Sequence, residues 1–312
     1  MAVKKDISNK KEVRDLISIA LQEDIGHGDV TSANTIRNNK QVKAELIVKS
    51  DGVISGINII PTIINIAKQR KYVLKNITAE FNIKDGEHVK QNTVIGSLHG
   101  GIKDVLALER TILNFLSRMS GVATETSRIS KLLKKSRAYV YDTRKTLPGW
   151  RAPDKYAVLC GGGRNHRYDL GEYLLIKDNH WSADCEGVLD YLKSAKKKKP
   201  VEVEIDSMGM LMEPAVLNAD IIMLDNFKFN DIKKAIKYLR NEEKKLNKKI
   251  EIEVSGGVNI GHVKNLAKLD IDRISIGRIT HSAPALDISL EIQRSRKLSA
   301  GTVTEKGPFP LR

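Results

Sequence analysis

The chain has 312 residues, of which 41% are hydrophobic and 29% are charged. A chain of this length and composition can bury a substantial core, which excludes a disordered protein. It contains no apolar run of the roughly eighteen residues that a transmembrane helix needs, and its N-terminal residues lack the apolar stretch of a secretory signal. We therefore expect a cytoplasmic protein with one large domain or two smaller ones, and no membrane partner.

The formal net charge of +15 raises the possibility of nucleic-acid binding, because clusters of Lys and Arg neutralise phosphates. Lysine-rich runs occur at residues 194–200 and 241–249, each where a helix is expected to end before a strand. Basic residues are favoured at helix C-termini, and only 5% of the residues are aromatic and available for base stacking. The charge pattern favours solvated helix ends over a nucleic-acid interface.

The first third of the chain mixes helix and strand patterns. Residues 11–26 place apolar side chains on one helical face, and Gly26 is positioned to end that helix. Residues 42–57 and 79–100 alternate as strands do, so each segment is predicted to form a hairpin, with turns at Asp51–Gly52, Asp85–Gly86 and Gln91–Asn92. Residues 104–121 are amphipathic at helical spacing and should link this α+β part to the next.

From about residue 138 the pattern changes to short apolar strands separated by helical segments, which is typical of parallel βαβ units. Six strands are predicted, at residues 139–144, 173–178, 201–205, 221–225, 250–255 and 273–277. Helices are expected between them, for example at residues 154–162, 210–219 and 231–240. The pattern predicts a β/α barrel that is incomplete, with fewer than eight strands, and a doubly wound sheet is the alternative.

Charged residues follow the first two of these strands. The cations are Arg144, Lys145, Arg167 and Lys177. Because the carboxyl ends of barrel strands converge on one mouth, we expect these side chains to meet, and several like charges are costly together unless an anion joins them. The arginine fork suits carboxylates, so a ligand with more than one acidic group is predicted. The alternative for any one of these cations is a salt bridge with Asp154 or Asp169.

Two carboxylates, Glu204 and Asp225, stand at the ends of consecutive strands. Their hard oxygen atoms could hold Mg²⁺ together with substrate phosphates. A pair of inward acids that neutralise barrel lysines is the alternative. Glu202 shares the strand face of Glu204, so the alternation alone does not say which glutamate points inward.

Glycines follow the last two strands, at Ser255–Gly256–Gly257 and at Gly277. Loops of this kind present backbone N–H groups to phosphate, although each glycine alone could form an ordinary tight turn. The run at residues 160–167 is interpreted as a flexible Gly-rich loop that delivers His166 and Arg167. A histidine amid arginines should stay neutral, so His166 and His281 are expected to orient a substrate, or to have a structural role, more than to act in catalysis.

In combination these motifs resemble a known family. "ALQEDIGHGDVTS", "YDTRKTLPGWRAPDKYAVLCGGGRNHRYDLGEYLLIKDNH", "IIMLDN", "IEVSGGVN" and "RISIGRITHS" are similar to those of nicotinate-nucleotide diphosphorylases (carboxylating), also called quinolinate phosphoribosyltransferases. The resemblance covers roughly residues 10–292 in collinear order. It implies that quinolinate and phosphoribosyl pyrophosphate give nicotinate mononucleotide, pyrophosphate and CO₂ in NAD biosynthesis, with Mg²⁺ as cofactor.

The resemblance also implies residue roles. Arg144, Arg167 and Lys177 would bind the quinolinate carboxylates with His166 beside them, while Lys145 would face phosphoribosyl pyrophosphate. Lys145, Glu204 and Asp225 are the implied catalytic residues, with the two acids near the ribose and the metal, which they would hold directly or indirectly. The implied phosphate-binding group, with His281 as a further substrate contact, comprises Ser255, Gly256, Gly257 and Gly277.

Arg110 would enter the site of a neighbouring subunit, so the resemblance implies a homodimer or a higher homo-oligomer. We expect an N-terminal domain with its linking helix at residues 1–120, sandwich-like in form, and a catalytic barrel at 121–282. A C-terminal segment at 283–312 should pack back on the N-terminal domain and end in a disordered tail. A related phosphoribosyltransferase with another acceptor is the nearest alternative, and Leu147 and Trp150 depart from the family pattern.

Overall fold

The structure is a computed structural model that describes residues 6–73, 76–194 and 199–293. Its N-terminal half is built on an antiparallel sheet with the strand order β12-β1-β5-β3. The strands of this half are β1 (Gln41–Val48), β2 (Gly52–Val53), β3 (Thr78–Phe81), β4 (His88–Val89), β5 (Val94–Gly101) and, from the C-terminal segment, β12 (Ile288–Ile292). The helices are α1 (Lys11–Ile25), α2 (Val30–Thr35) and α3 (Ile60–Gln69), with a 3₁₀ turn at Ile57–Ile59.

Helix α1 confirms the prediction made from its apolar spacing. Val13, Ile17 and Leu21 recur every fourth residue and are fully buried. Gly26 ends the helix with φ +51°, a conformation that a residue with a Cβ atom rarely adopts.

The hairpin predicted at residues 42–57 is wrong, whereas the segment at residues 79–100 does pair with itself, because β3 and β5 are antiparallel neighbours with Phe81 opposite Gly96. Strand β1 pairs with β5 on one edge and with β12 on the other, so neither edge is left for β2. Strand β2 instead pairs with β4, and the predicted turns at Asp51 and Gln91 are joined to each other because the Asp51 carboxylate accepts from the Gln91 N–H at 2.9 Å. Long-range pairing has overridden the local turn signals, which say nothing about the partner of a strand.

Helix α4 (Ile102–Leu132) is longer than the predicted linking segment and passes through the expected boundary at residues 120/121. Its predicted apolar face, including Phe115 and Met119, is buried. At Gly121 a Cβ atom would lie 2.1 Å from the Pro284 carbonyl oxygen. The glycine therefore lets the segment before β12 cross close to α4 on its way to pair with β1. The predicted tail lies mostly outside the described residues.

The C-terminal half contains the six predicted parallel strands. They are β6 (Tyr139–Tyr141), β7 (Leu174–Ile176), β8 (Val201–Ile205), β9 (Ile221–Asp225), β10 (Glu251–Ser255) and β11 (Arg273–Ser275). Their spatial order, β6-β11-β10-β9-β8-β7, follows a circle without reversing, which excludes the doubly wound alternative. Within the described residues β6 and β7 do not pair, so the barrel is incomplete and has an open seam between them.

Helices follow the barrel strands: α5 (Arg151–Cys160), α6 (Asp178–Ala183), α7 (Cys185–Lys193), α8 (Met208–Leu211), α9 (Phe229–Leu246), α10 (Ile260–Leu266) and α11 (Arg278–His281). The helix predicted at residues 210–219 is instead short α8 and a 3₁₀ turn at Pro214–Asn218, because proline removes a helical hydrogen bond. In the run at 241–249, α9 ends at Leu246 as expected, whereas residues 195–198 of the other lysine run lie outside the described part. No described helix is long and apolar enough to cross a membrane.

Candidate active site

The carboxyl ends of the barrel strands surround a cavity of about 380 Å³. Eight predicted site residues line it: Arg144, Lys145, His166, Arg167, Lys177, Glu204, Asp225 and Ser255. Thr143, Leu175, Met223 and Ser275 complete the lining. The convergence expected from the strand ends is therefore present, with residues that are far apart in sequence meeting in one place.

A buried ion pair fixes the loop that carries two of these residues. The carboxylate of Asp142, which is fully buried, accepts from Lys155 Nζ at 2.6 Å and from the His166 N–H at 2.8 Å. Lys155 Nζ also donates to the His166 carbonyl at 2.7 Å. Burial raises the pKa of Asp142 to about 6 and lowers the pKa of Lys155. The two side chains together hold the backbone of His166 through its N–H and its carbonyl group.

The Gly-rich loop occupies the seam between β6 and β7. Its Arg164 N–H donates to the Val140 carbonyl at 2.8 Å, which extends the edge of β6 by one bridge. A Cβ atom at Gly161 would lie 2.4 Å from the Ala123 carbonyl oxygen, and one at Gly163 would lie 2.7 Å from Thr126. These glycines permit close packing on α4, which replaces the interpretation of a flexible loop.

Three of the four cavity cations have no acidic partner among the described residues. Among the described residues Arg144, Lys145 and Arg167 form no ion pair, and the buried Nε atoms of both arginines have no acceptor. Arg167 is 6% exposed, and burial followed by the charge of Arg144 lowers its pKa. Its guanidinium donates to the Tyr173 carbonyl at 3.3 Å. The cavity therefore presents donors and positive charge that an anionic ligand would satisfy.

The salt bridges considered as alternatives are not formed. The Asp154 carboxylate is bonded by both Nε and a terminal nitrogen of Arg118, and Asp169 accepts from the Gly171 N–H at 2.8 Å. Lys177 is the one cavity lysine with an acidic partner in the described structure, since its Nζ bonds to Glu204. The alternative in which inward acids neutralise barrel lysines is therefore met by one of the two acids, because Glu204 pairs with Lys177.

Acidic side chains form the opposite wall. Glu204 and Asp225 line both the main cavity and a neighbouring one of about 210 Å³, which Asp178 and Asp206 also border. Asp225 accepts from the Asn226 side-chain amide at 2.6 Å. Asp178 is the last residue of a predicted strand, so the convergence of strand ends places it at the site, whereas Asp206, which directly follows another predicted strand, was missed.

Beneath the cavity lies a cluster that the sequence interpretation missed, except for His166. Glu202 and Glu253 are fully buried, and His166 Nε2 lies 3.1 Å from a Glu202 oxygen and 3.7 Å from a Glu253 oxygen. The Tyr173 hydroxyl lies 3.1 Å from His166 Nδ1. The side chains of Glu202 and Glu204 lie on the same face of β8. Glu204 lines the cavity, and Glu202 is buried below it. Burial is the chief cause that lowers the pKa of His166, so the predicted neutral histidine is correct in direction.

The glycine loops lie beside the cavity. Gly256 and Gly257 adopt φ +87° and +54°, and a Cβ atom at Gly256 would lie 2.2 Å from Asn226 Oδ1. Both glycines line an adjacent cavity of about 300 Å³ that shares Ser255 with the main one. Helix α10 begins only at Ile260, so it does not follow these glycines directly.

Besides Gly256 and Gly257, three predicted residues lie away from the lining of the main cavity. A Cβ atom at Gly277 would lie 3.1 Å from Lys145 Cδ and 3.3 Å from His281, which places Gly277 between these side chains. His281 is exposed and its Nδ1 bonds to Ser282. Arg110 lies on α4 with its side chain 62% exposed, and it lines a separate cavity near the end of α1. The single chain does not bring Arg110 to the site.

Comparisons with known proteins match this arrangement. A family model of the quinolinate phosphoribosyl transferase C-terminal domain matches residues 122–291, and the corresponding N-terminal model matches residues 29–120. The chain belongs to the quinolinate phosphoribosyl transferase family. The two models therefore account for most of the described structure, including every cavity residue discussed above.

Relatives of this family are similar along nearly their whole length. A protein of Archaeoglobus fulgidus named probable nicotinate-nucleotide pyrophosphorylase [carboxylating] is 39% identical, with 85% of this chain and 98% of that protein covered. A Bacillus subtilis protein of the same name is 34% identical over 93% of this chain and 96% of its own. The solved nicotinate-nucleotide pyrophosphorylase of Francisella tularensis superposes with a TM-score of 0.79 at 34% identity and covers 93% of this chain and all 100% of that one.

Replacement of Lys155 by methionine should destabilise the fold, because the Asp142 carboxylate would remain buried without its cation. We expect Lys155→Met to lower the free energy of unfolding by about 3–5 kcal/mol at pH 8, measured by urea denaturation. Lys234→Met is the control, since it removes an exposed pair with Asp231 and should cost less than about 1 kcal/mol. Equal losses in the two variants would show that the Asp142 pair does not hold the loop.

Proposed function

We propose that the chain is a quinolinate phosphoribosyltransferase, which converts quinolinate and phosphoribosyl pyrophosphate to nicotinate mononucleotide, pyrophosphate and CO₂ in NAD biosynthesis. The observation that carries the proposal is the cavity with Arg144, Arg167 and Lys177 around it, in which neither arginine has an internal anion. A small aromatic diacid supplies two carboxylates to such a set of donors. Membership of the family supports the same substrate.

The quinolinate carboxylates are assigned to the Arg144 and Arg167 guanidinium groups and to Lys177. Arg167 enters from the seam loop and Arg144 from the end of β6, so a planar ligand can be held from two sides. Lys177 would exchange its partner Glu204 for a substrate carboxylate, which would free Glu204 for the ribose. His166 forms part of the cavity floor, next to the three cations.

Phosphoribosyl pyrophosphate is assigned to the neighbouring part of the mouth. Lys145, which lies beside Gly277, would supply positive charge to the leaving pyrophosphate. Backbone N–H groups of Ser255, Gly256, Gly257 and Gly277 are suited to phosphate oxygens because the glycines carry no side chain of their own, and His281 lies beside Gly277. The cavity beside Gly256 gives this ligand room that the main cavity alone lacks.

Mg²⁺ is the cofactor that we assign to the acidic wall. The donor set fits, because Glu204, Asp225, Asp178 and Asp206 offer the hard carboxylate oxygens that Mg²⁺ prefers, beside the proposed phosphate region. When bound, Mg²⁺ would neutralise charge on the pyrophosphate. Glu204 and Asp225 would hold it directly or through water.

The chain's own groups account for both steps. As the ribose–pyrophosphate bond breaks, the anomeric carbon gains positive charge, which the carboxylates of Glu204 and Asp225 stabilise. The quinolinate nitrogen then attacks that carbon from the position set by the arginines. Once the nitrogen is ribosylated and cationic, the ring accepts the electron pair left when the adjacent carboxylate departs as CO₂, and a proton then replaces it.

The activity can be tested by mixing the protein and Mg²⁺ with phosphoribosyl pyrophosphate and either quinolinate or nicotinate. We expect nicotinate mononucleotide and CO₂ from quinolinate only, because a ligand with one carboxylate leaves a buried cation unpaired. Product formation is followed by chromatography and CO₂ by isotope release. Turnover of nicotinate in place of quinolinate would favour the related phosphoribosyltransferase.

Arg167→Ala should weaken quinolinate binding by about 3–5 kcal/mol, because one carboxylate would be buried without its partner. The dissociation constant measured by calorimetry should therefore rise at least a hundredfold. Arg164→Ala is a matched control in the same loop, since Arg164 is exposed and stacks on Tyr139. Unchanged affinity in Arg167→Ala would remove this residue from the site.

We also propose a homodimer or higher homo-oligomer in which Arg110 reaches the cavity of a neighbouring subunit. Its exposed side chain supports this role. Chains carrying Arg110→Ala should regain part of their activity when they form mixed dimers with Lys177→Ala chains, since one of the two shared sites would then be intact. Verified mixed dimers without activity would contradict the geometry. The cytoplasmic location and the absence of a nucleic-acid partner stay predictions.

A further inference from the structure

The loop that carries Lys145 is held by contacts that the proposed mechanism does not use. The hydroxyl of Thr280 on α11, a fully buried residue, lies 2.7 Å from the Lys145 carbonyl oxygen and 3.0 Å from that of Gly277. The Gly277 carbonyl also accepts from the Thr280 and His281 N–H groups, at 3.1 Å each. Within the described residues Thr280 is the only donor to the Lys145 carbonyl, so we assign its one hydroxyl proton to this shorter contact.

Arg118 of α4 joins α11 to α5. Its guanidinium donates to both oxygens of the Asp154 carboxylate, at 3.1 and 2.9 Å, and also to the Thr280 carbonyl. Asp154 is fully buried and the Arg118 side chain is mostly buried, so little water competes for these bonds. Because the guanidinium carries five N–H donors in a fixed planar geometry, this one side chain can hold two elements at once.

The Asp154 carboxylate also reaches the Lys145 loop, which we define as residues 143–150. It accepts a hydrogen bond from the backbone N–H of Leu147, two residues after Lys145. The loop is therefore fixed to α5 at Leu147 and to α11 at Lys145, and Arg118 bonds to both of these helices.

The position of the Lys145 side chain depends on these backbone contacts. The residue is exposed, and its ammonium group forms no ion pair in the described part of the chain. Its N–H donates to the Thr143 hydroxyl at 3.0 Å, so both hydrogen-bonding groups of its backbone are used. A lysine side chain has a flexible four-carbon stem, and fixing its backbone narrows the region that the ammonium can occupy, beside Gly277.

We propose that Thr280 and Arg118 are positioning residues for Lys145, the residue assigned to the leaving pyrophosphate. Thr280 bonds to the Lys145 backbone directly, and Arg118 fixes Thr280 relative to α5. Loss of either contact should weaken the use of phosphoribosyl pyrophosphate, because a misplaced cation stabilises the leaving group less well. Arg167 and Lys177 lie on other elements and should keep their positions. The role rests on the proposed function, since that function assigns phosphoribosyl pyrophosphate to Lys145.

Kinetics and calorimetry of the whole enzyme test the role of Thr280. Thr280→Val keeps nearly the same side-chain shape and removes the hydroxyl, so kcat/KM for phosphoribosyl pyrophosphate should fall on the order of tenfold. The dissociation constant for quinolinate should change by less than about twofold, because the cations assigned to its carboxylates are held elsewhere. Thr280→Ser keeps the hydroxyl and should restore most of the lost efficiency.

Arg118→Lys tests the second residue while a cation stays beside Asp154. An ammonium group cannot reproduce the fork that bonds to both carboxylate oxygens and to the Thr280 carbonyl, so the same selective loss is expected. Thr126→Val is the matched control. Thr126 is fully buried and its hydroxyl donates to the Val122 carbonyl at 2.8 Å within α4, so this variant should behave as the wild type in both measurements.

Amide hydrogen exchange reports on the Lys145 loop without any turnover. Mass spectrometry of a peptide covering residues 143–150 should show faster exchange in Thr280→Val and in Arg118→Lys than in the wild type, because protection falls when the contacts that hold a segment are lost. Thr126→Val should exchange as the wild type does.

Three results would overturn the proposal: wild-type kcat/KM for phosphoribosyl pyrophosphate in Thr280→Val, unchanged exchange of residues 143–150, or equal losses of this efficiency and of quinolinate affinity, which would mark a merely structural role. If Thr280→Val failed to fold, Arg118→Lys would supply the same comparison. A wild type that did not turn over quinolinate would contradict the proposed function instead, and hydrogen exchange would still decide whether Thr280 holds the loop.

Discussion

Positive charge without an internal counterion, held at the mouth of an incomplete barrel, is the constraint on which the rest of this structure depends. Arg144, Arg167 and Lys145 border one cavity of about 380 Å³ without an acidic partner among the described residues, and the Nε atoms of both arginines are buried without acceptors. Such an arrangement raises the free energy of the empty protein, because like charges repel and donors lose water. Binding of a small diacid relieves both costs, which couples recognition to the relief of an unfavourable charge arrangement.

The fold tolerates the unfavourable charges of the cavity because the interactions that stabilise the surrounding loop lie outside the cavity. The Asp142–Lys155 pair and the packing of Gly161 and Gly163 on α4 hold the seam loop without using any cavity group. The seam itself matters, because a closed barrel would leave no opening between β6 and β7 through which His166 and Arg167 could enter. Below the floor, Glu202 and Glu253 are fully buried, and in the described structure neither accepts a hydrogen bond from the cavity arginines.

Much of the catalytic half could be predicted from the sequence. Its strands are short, apolar and buried, and the strand-end rule brought six predicted residues to one cavity although Arg144 and Ser255 are far apart in the chain. His166 and Arg167 reach it from the Gly-rich loop. The cations already predicted a ligand with more than one acidic group, and the family resemblance then implied quinolinate. The strand-end rule also applies to Asp178 and Asp206, because Asp178 ends one predicted strand and Asp206 directly follows another.

The errors have identifiable physical causes. The local turn signal at Asp51 predicted a hairpin over residues 42–57, but β1 had both edges occupied by strands distant in sequence. The glycines of the seam loop were interpreted as a sign of flexibility. In the structure glycine is required at Gly161 and Gly163 because α4 lies too close to leave room for a side chain. Glu253 was overlooked because alternation places a residue on a face and does not say that two carboxylates on separate strands share one histidine.

A crystal structure of the protein with quinolinate bound tests the central claim most directly. The account predicts that both ligand carboxylates lie in the main cavity within hydrogen-bonding distance of Arg144, Arg167 and Lys177. It would be contradicted by quinolinate bound at another place on the protein, or by a bound complex in which both arginines remain without a carboxylate partner.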